Sequence, residues 1–231
     1  MTKIEQRPET VSLPDQFAAV ARTPGAPNAH EFTSLLAQVV GETAFHQNAV
    51  NKHTGAAGPF QFVKNTWLSM VQRHGEELGV KPELVAQIKT DAKGHLAVAN
   101  TQALNDILEL RHDVALSAKM ASKLMAENTA QLHRLLQRAP SEPEVHLAFL
   151  LGASGAGKLI HAAAATPDLA SNQVVAAAAA SNPTLFHDKS GKVRSAAEAV
   201  TFLAAKYHAD KAKVAAYAQL QAPRPKGAID A

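Results

Sequence analysis

Apolar residues recur at helical spacing along most of the chain. Between residues 28 and 42 they form one stripe of an amphipathic helix, made of Phe32, Leu35, Leu36, Val39 and Val40. Asn28 suits the N-cap of this helix, and Glu31, three residues later, suits the acidic partner of a capping box. The pattern therefore predicts that the folded part of the chain begins with a helix near Asn28.

A second helix is predicted from Pro59 to Gly75, because the fixed φ angle of proline suits the first helical position. Trp67, the only tryptophan, falls on its apolar stripe and is predicted to be a core residue. Asp113 is predicted to be the N-cap of a long helix. The spacing predicts further helices at 82–90, 97–110, 113–138, 143–151, 155–165, 168–180 and 195–219. No segment alternates apolar and polar residues over the length of a strand, so the predicted class is all-α.

The two ends of the chain differ from this middle part. Residues 1–27 contain four prolines and few large apolar side chains, which indicates a mobile N-terminal arm or an export segment. Residues 221–231 are rich in proline and small residues, which favours a disordered tail. One domain is therefore predicted over residues 28–220.

Composition excludes some kinds of protein. A hydrophobic fraction of 46% favours a globular domain, and the absence of cysteine excludes disulfides and thiolate metal sites. The net charge of +3 comes from scattered Lys and Arg, so no basic patch for nucleic acid is predicted. We expect no secretory signal, since the N-terminal segment has no apolar core flanked by positive charge and a small-residue cleavage site. We expect no membrane span, since no run of about 18 apolar residues occurs.

One carboxylate stands out between the first two predicted helices. Glu42 lies where the first helix meets a glycine-bearing loop, and no other acidic residue lies between Glu31 and Glu76. Partial burial at such a junction raises the pKa of a carboxyl group, which keeps a proton available near neutral pH. A general acid at a glycosidic oxygen needs this property, although most glutamates at helix ends are solvated surface residues.

The surrounding residues resemble a known family. The run from Glu42 to Trp67, ETAFHQNAVNKHTGAAGPFQFVKNTW, is similar to the lysozyme-like lytic transglycosylase domain, the soluble lytic transglycosylase group related to goose-type lysozyme. The shared features are Glu42 with Phe45, a Gly-Ala-Ala-Gly turn at residues 55–58, and Gln61 on the next predicted helix. Later segments continue the resemblance, so that it covers about residues 30–205: ILELRHDVALSAKMASKLMAEN, HLAFLLGASGAGKLI and ASNPTLFHDKSGKVRSAAEAV.

The resemblance implies an activity and a site. Glu42 would protonate the bond between N-acetylmuramic acid and N-acetylglucosamine in peptidoglycan, then act as a base, and a 1,6-anhydro product would form without metal or organic cofactor. Gln61 would contact the acid or the sugar. Phe45, Phe60 and Phe62 would line the site, at least one of them as a core residue. Asn51, His53 or Thr54 would take the place of a serine that the family often has before the turn.

The sequence also departs from the family pattern. Where the family has Ala-Tyr-Asn-Ala-Gly, this chain has Ala148 to Gly152 with Phe149 and Leu150 in place of Tyr and Asn. The substitution removes two groups that hydrogen-bond sugar. Two alternatives therefore stay open beside the transglycosylase: a hydrolytic muramidase with the same acid, and a non-catalytic component of the wall or of a secretion apparatus. A second acid for the muramidase would have to come from Glu76, Asp91 or Asp113.

Two other motifs carry less weight. Gly152 to Lys158 matches the glycine pattern of a phosphate-binding loop, but Leu159 follows where a Ser or Thr should hold Mg²⁺, so we interpret the glycines as a turn between helices. None of the 11 histidines forms a close ligand pair, although His46 and His53 flank the candidate site.

The expected place of action is the bacterial cell wall. A phage lysin, a component that opens the wall for a flagellum or a secretion machine, and an enzyme of wall turnover all fit the sequence, and the export route is open.

Overall fold

The computed structural model describes Val50 and residues 54–221. Helices make up 66% of the structure and its strands are short, which confirms the all-α class. The predicted arm at 1–27, the predicted helix at 28–42 and the predicted tail after residue 221 lie outside the described residues. The domain bounds at 28 and 220 therefore stay predictions.

The helices follow one another in the order that the sequence predicts, with different ends. In chain order the elements are α1 (Lys64–His74), α2 (Pro82–Val85), β1 (Lys89–Thr90), β2 (Leu96–Ala97), α3 (Thr101–Glu109), a 3₁₀ turn (Leu110–His112), α4 (Val114–Leu136), α5 (Glu142–Ala165), α6 (Ser171–Val174), α7 (Ala176–Ser181), α8 (Pro183–Phe186) and α9 (Ala196–Gln221).

The caps of α3 and α4 are an asparagine and an aspartate side chain. The Asp113 carboxylate accepts a hydrogen bond from the backbone N–H of Leu116, so Asp113 is the N-cap of α4, as predicted. Asn100 caps α3 in the same way by accepting from Ala103 N. The predicted helix at 82–90 is wrong beyond Val85, because Lys89–Thr90 instead pairs with Leu96–Ala97 as a two-residue antiparallel hairpin.

Two apolar clusters form the core. The first gathers α1, α3, the start of α4 and Tyr207 of α9 around Trp67. Trp67 is fully buried and its indole N–H donates to Ile107 O at 2.7 Å, which confirms the predicted core role. The second cluster surrounds α5, which packs between α4 and α9.

Helix α5 contains the segment that matches a phosphate-binding loop. Only Gly152 leaves helical geometry, with φ 71° and ψ 154°, and it breaks α5 into two parts. The predicted turn is therefore right at Gly152 and wrong at Gly155 and Gly157, which lie within the helix. A Cβ on Gly157 would lie 3.1 Å from Leu135 Cδ1, so this glycine allows close packing of α5 against α4.

Helix α5 is also long and apolar enough to cross a membrane, by length and composition alone. A central helix of a packed bundle has the same composition, and α5 packs against α4 and α9. The apolar character of α5 is therefore weak evidence for a membrane span.

Candidate functional site

A tight turn at residues 54–62 forms one wall of the candidate site. The backbone closes through two hydrogen bonds between Ala57 and Phe62, at 3.1 and 3.2 Å, and a third from Gln61 N to Gly58 O at 3.1 Å. Gly55 and Gly58 have positive φ angles of 68° and 77°. The glycines of the predicted Gly-Ala-Ala-Gly motif are therefore needed for the backbone conformation of this turn.

Arg111 of the 3₁₀ turn holds the turn in place. Its guanidinium Nη1 donates to Gly55 O at 3.0 Å and to Phe62 O at 3.1 Å, while Nε donates to Leu108 O at 2.9 Å. Burial lowers the pKa of Arg111, and the negative charge of Glu109 raises it by a smaller amount. The side chain is still charged at physiological pH, as in all arginines. One side chain thus ties both ends of the turn to α3.

Gly58 fits against the backbone of Arg111. A Cβ atom on Gly58 would lie 2.1 Å from Arg111 O, a distance at which no side chain can be accommodated without movement of the backbone. At Gly55 no atom of the described part of the chain lies within 4 Å of the corresponding position. The two glycines of the turn therefore serve different purposes: Gly55 only provides its φ angle, and Gly58 also provides space.

The turn borders a cavity of about 390 Å³ between α1, α4, α5 and the junction of α7 with α8. This volume falls within the range of small-ligand sites. The described residues that line it are Thr54, Ala56, Phe60, Gln61, Phe62, Val63, Thr66, Leu124, Asn128, Ala148, Phe149, Leu150, Leu151, Gly152 and Asn182. All of these side chains are uncharged, so the part of the cavity wall that the structure describes offers amides, hydroxyls and apolar surface.

The structure brings together four of the residues predicted to line the site. Thr54, Phe60, Gln61 and Phe62 all line the cavity. Glu42, Phe45, Asn51 and His53, with His46, lie outside the described residues, and their roles stay predictions. The predicted place of Gln61 on a helix is wrong: it lies in the turn with φ 49°, its Nε2 donates to Gly58 O at 3.0 Å, and α1 begins only at Lys64.

The aromatic residues divide between core and site. Phe60 and Phe62 are 3% and 2% exposed, which confirms that at least one of the three predicted phenylalanines packs in the core. The ring of Phe62 packs edge-on against Trp67 at a centroid distance of 5.1 Å and against Phe149 at 6.3 Å. Phe149 thus connects the turn to the segment at 148–152.

The acids considered for a second carboxylate lie elsewhere. Asp113 caps α4, and the carboxylate of Asp91 accepts from His95 N and Lys93 N in the hairpin. The backbone hydrogen bond from His95 is the main cause that lowers the pKa of Asp91. Neither Asp91, Asp113 nor Glu76 is among the described residues that line the cavity.

Two carboxamides in the cavity wall were missed by sequence reasoning. Asn128 of α4 is 6% exposed and donates from Nδ2 to Ala148 O at 3.2 Å. Asn182, between α7 and α8, donates from Nδ2 to Ala178 O at 3.1 Å. Both residues lie in segments that carry the family resemblance, but nothing in the sequence indicates that residues so far apart share one cavity.

The chain matches no protein family model. Among residues 54–221 no group of three or more His, Asp or Glu side chains is arranged to hold a metal ion.

Proposed function

We propose that the protein cleaves the glycan strands of peptidoglycan, as a lytic transglycosylase of the lysozyme-like fold with Glu42 as its acid and base. The observation that carries the proposal is the cavity beside the Gly55–Gly58 turn, because Thr54, Phe60 and Gln61, chosen from the sequence, all line it. Its neutral amides, hydroxyls and phenyl rings are the groups that bind a sugar.

The proposed reaction breaks one glycosidic bond without consuming water. Glu42 gives its proton to the oxygen that links C1 of N-acetylmuramic acid to N-acetylglucosamine, and the C1–O bond breaks. The C6 hydroxyl of the same muramic acid attacks C1 and loses its proton to the Glu42 carboxylate. The acid is thereby restored, and the product has a 1,6-anhydro ring. One carboxyl group suffices for both steps if its pKa lies near the working pH.

In the proposal the residues of the cavity wall position the substrate. Gln61 is held by its hydrogen bond to Gly58 O, so its carboxamide has a fixed place on the cavity wall. In the proposal Gln61 contacts the acid or the sugar, and Phe60 with Phe45 gives apolar contact to the sugar rings. Asn51, His53 or Thr54 takes the place of the serine that the family often has.

Two alternatives are distinguished by the product. A muramidase uses the same acid with water as nucleophile, and its reducing end is heavier than an anhydro end by one water. A non-catalytic wall-binding protein is favoured by one observation: Phe149 and Leu150 line the cavity without the phenol and amide that the family has there. Such a protein would bind sacculi and release no soluble fragment.

The test is a digest of purified sacculi by the wild-type protein and by Glu42→Gln, read by mass spectrometry. The proposal expects anhydro muropeptides from the wild type and almost none from the variant, which is nearly isosteric but cannot donate a proton. Equal thermal melting of the two proteins is the control for folding. Products with reducing ends would show that the protein is a muramidase instead of a transglycosylase. Release of fragments by Glu42→Gln would show that Glu42 is not the acid.

A further inference from the structure

The backbone of Gln61 has a conformation that is unfavourable for a glutamine. Of the non-glycine residues that the structure describes, Gln61 and Gln137 have positive φ angles, of 49° and 54°. Gln137 ends α4, where a left-handed residue is common. Gln61 instead lies in the turn before α1, and it lines the cavity. In the left-handed region the Cβ atom comes too close to the following carbonyl oxygen, so the surrounding structure must hold Gln61 there.

The hydrogen bonds that hold Gln61 act on the next residue. The N–H of Phe62 donates to Ala57 O at 3.1 Å, and its carbonyl accepts from Ala57 N at 3.2 Å and from Arg111 Nη1 at 3.1 Å. The same Nη1 donates to Gly55 O at 3.0 Å, near the start of the turn. Hydrogen bonds from a charged guanidinium are stronger than those between neutral groups. The peptide that follows Gln61 therefore cannot rotate without breaking the bonds that close the turn.

Arg111 is itself held on two sides. Its Nε donates to Leu108 O at 2.9 Å, and its backbone carbonyl accepts from Ser117 Oγ at 2.8 Å. Ser117 is fully buried in α4. A lysine carries its donors at one point of a flexible chain and cannot reproduce the planar arrangement that binds Leu108 O and the turn together. The guanidinium is thus a rigid link from α3 and α4 to the turn.

We infer that Arg111 is a positioning residue of the candidate site: its bonds to both ends of the turn keep Gln61 in the left-handed conformation, and so set the place of the Gln61 carboxamide on the cavity wall. The activity that this placement serves rests on the proposed function, in which Gln61 contacts the acid or the sugar. Arg111 acts through Gln61 and is not itself proposed to touch the substrate. The strained backbone lowers the stability of the fold, and a fixed carboxamide is its functional counterpart.

The first experiment separates backbone strain from side-chain contacts by urea unfolding. Gln61→Gly and Gln61→Ala both lose the hydrogen bond from Nε2 to Gly58 O, and only the glycine variant is free of left-handed strain. We expect the folding equilibrium constant of Gln61→Gly to exceed that of Gln61→Ala by at least about fivefold. In an Arg111→Met background this ratio should fall below about twofold, because Arg111 then no longer holds that backbone.

Two results of the urea experiment would overturn the inference. Equal stability of Gln61→Gly and Gln61→Ala would show that Gln61 carries no strain. A ratio that is the same with and without Arg111 would show that another group holds the backbone. If Arg111→Met does not fold, Arg111→Lys takes its place with the same expected fall in the ratio, since a lysine cannot reproduce the guanidinium contacts.

The second experiment measures the maximal rate at which soluble fragments leave sacculi. Misplacing a group by about 1 Å can slow an enzyme on the order of a hundredfold, so Arg111→Met should be about ten- to hundredfold slower than the wild type. Because Arg111 acts through Gln61, the double variant Arg111→Met/Gln61→Ala should be within about twofold of Gln61→Ala. Losses that multiply in the double variant would contradict this.

A matched control comes from another arginine. Arg73 of α1 pairs through Nη2 with Glu127 of α4 at 2.8 Å, and it is not among the described residues that line the cavity. Arg73→Met also removes a charged link between elements, but it leaves the turn intact. Its maximal rate should equal that of the wild type, and a loss as large as that of Arg111→Met would show that the effect is not specific to the turn.

Failure of the inference and failure of the proposed function give different results. If a folded wild type releases no fragment from sacculi, the proposed function is wrong, and the urea comparison still decides whether Arg111 holds Gln61. If the wild type releases fragments while the losses of Arg111→Met and Gln61→Ala multiply, the activity stands and Arg111 has only a structural role.

Discussion

The burial of His146 predicts a measurable pH dependence of stability. This residue of α5 is 5% exposed, its ring lies 5.0 Å from that of Tyr207, and its Nδ1 has no hydrogen-bond partner among the residues that the structure describes. Burial, and then the nearby charge of Lys206, lower the pKa of His146 from 6.5 to about 4, against an opposing effect of Asp210. Glu142, one turn earlier on α5, accepts from Tyr207 OH. The folded protein therefore keeps His146 neutral at pH values at which the unfolded chain protonates it.

The sign and size of the effect follow from this difference in pKa. Between pH 6.5 and about 4 the unfolded state binds the additional proton, so stability rises with pH in this window. The stability that comes from a neutral, buried His146 is complete above pH 6.5, and it is lost as the pH falls from there through the pKa of His146 in the folded protein. One proton taken up by the unfolded state changes the free energy of unfolding by about 1.4 kcal/mol per pH unit, so the free energy of unfolding falls by about 2 kcal/mol from pH 7.5 to pH 5.

The assay compares urea unfolding of the wild type and His146→Phe at pH 7.5, 6 and 5. The variant keeps an aromatic ring against Tyr207 and removes both the titration and the buried Nδ1. We expect the wild type to lose about 2 kcal/mol more than the variant over this range. Glu144, whose pKa the hydrogen bond from Arg138 lowers to about 2, titrates below the range. His133→Gln, at an exposed histidine of α4, is the control and should follow the wild type. Parallel loss in the wild type and His146→Phe would refute the reasoning.

Three further predictions concern the turn, the core and acid stability. Gly55→Ala should lower the free energy of unfolding by roughly 1 kcal/mol, and Gly58→Ala by more than twice as much, because only the new Cβ at position 58 meets the carbonyl of Arg111. Equal losses for the two variants in urea unfolding would contradict this. Trp67→Phe loses a buried hydrogen bond and part of the packing of α1, so it should lower the free energy of unfolding by about 2–4 kcal/mol in the same experiment. A loss below about 1 kcal/mol would contradict this prediction. Glu144→Gln should flatten the loss of stability between about pH 4.5 and pH 2, because in this window only the unfolded wild-type chain protonates this carboxyl group. An unchanged acid limb in circular dichroism would argue against it.

Much of the helical architecture is predictable from local pattern. Asp113 stands before an apolar run and has a free carboxylate oxygen within reach of the third N–H of the helix, so its role as N-cap needed no tertiary information. Trp67 was placed in the core by helical spacing alone. Both depend only on residues within a few positions along the chain.

The start of α1 shows where local pattern fails. Proline suits the first position of a helix and also the second position of a β-turn, because both require φ near −65°. In this chain Pro59 is the second residue of a β-turn, which is closed by a hydrogen bond from Gln61 N to Gly58 O. The choice depends on the contact of Gly58 with Arg111, which lies more than fifty residues away. The pairing of Asn128 with Ala148 O escaped prediction for the same reason.

The most direct test of the central proposal is the mass of the fragments that the purified wild-type protein releases from sacculi, beside Glu42→Gln. The proposed function predicts muropeptides with 1,6-anhydro ends from the wild type and a loss of nearly all release in the variant. Release of no soluble fragment by a folded wild type, or equal release by the variant, would contradict it.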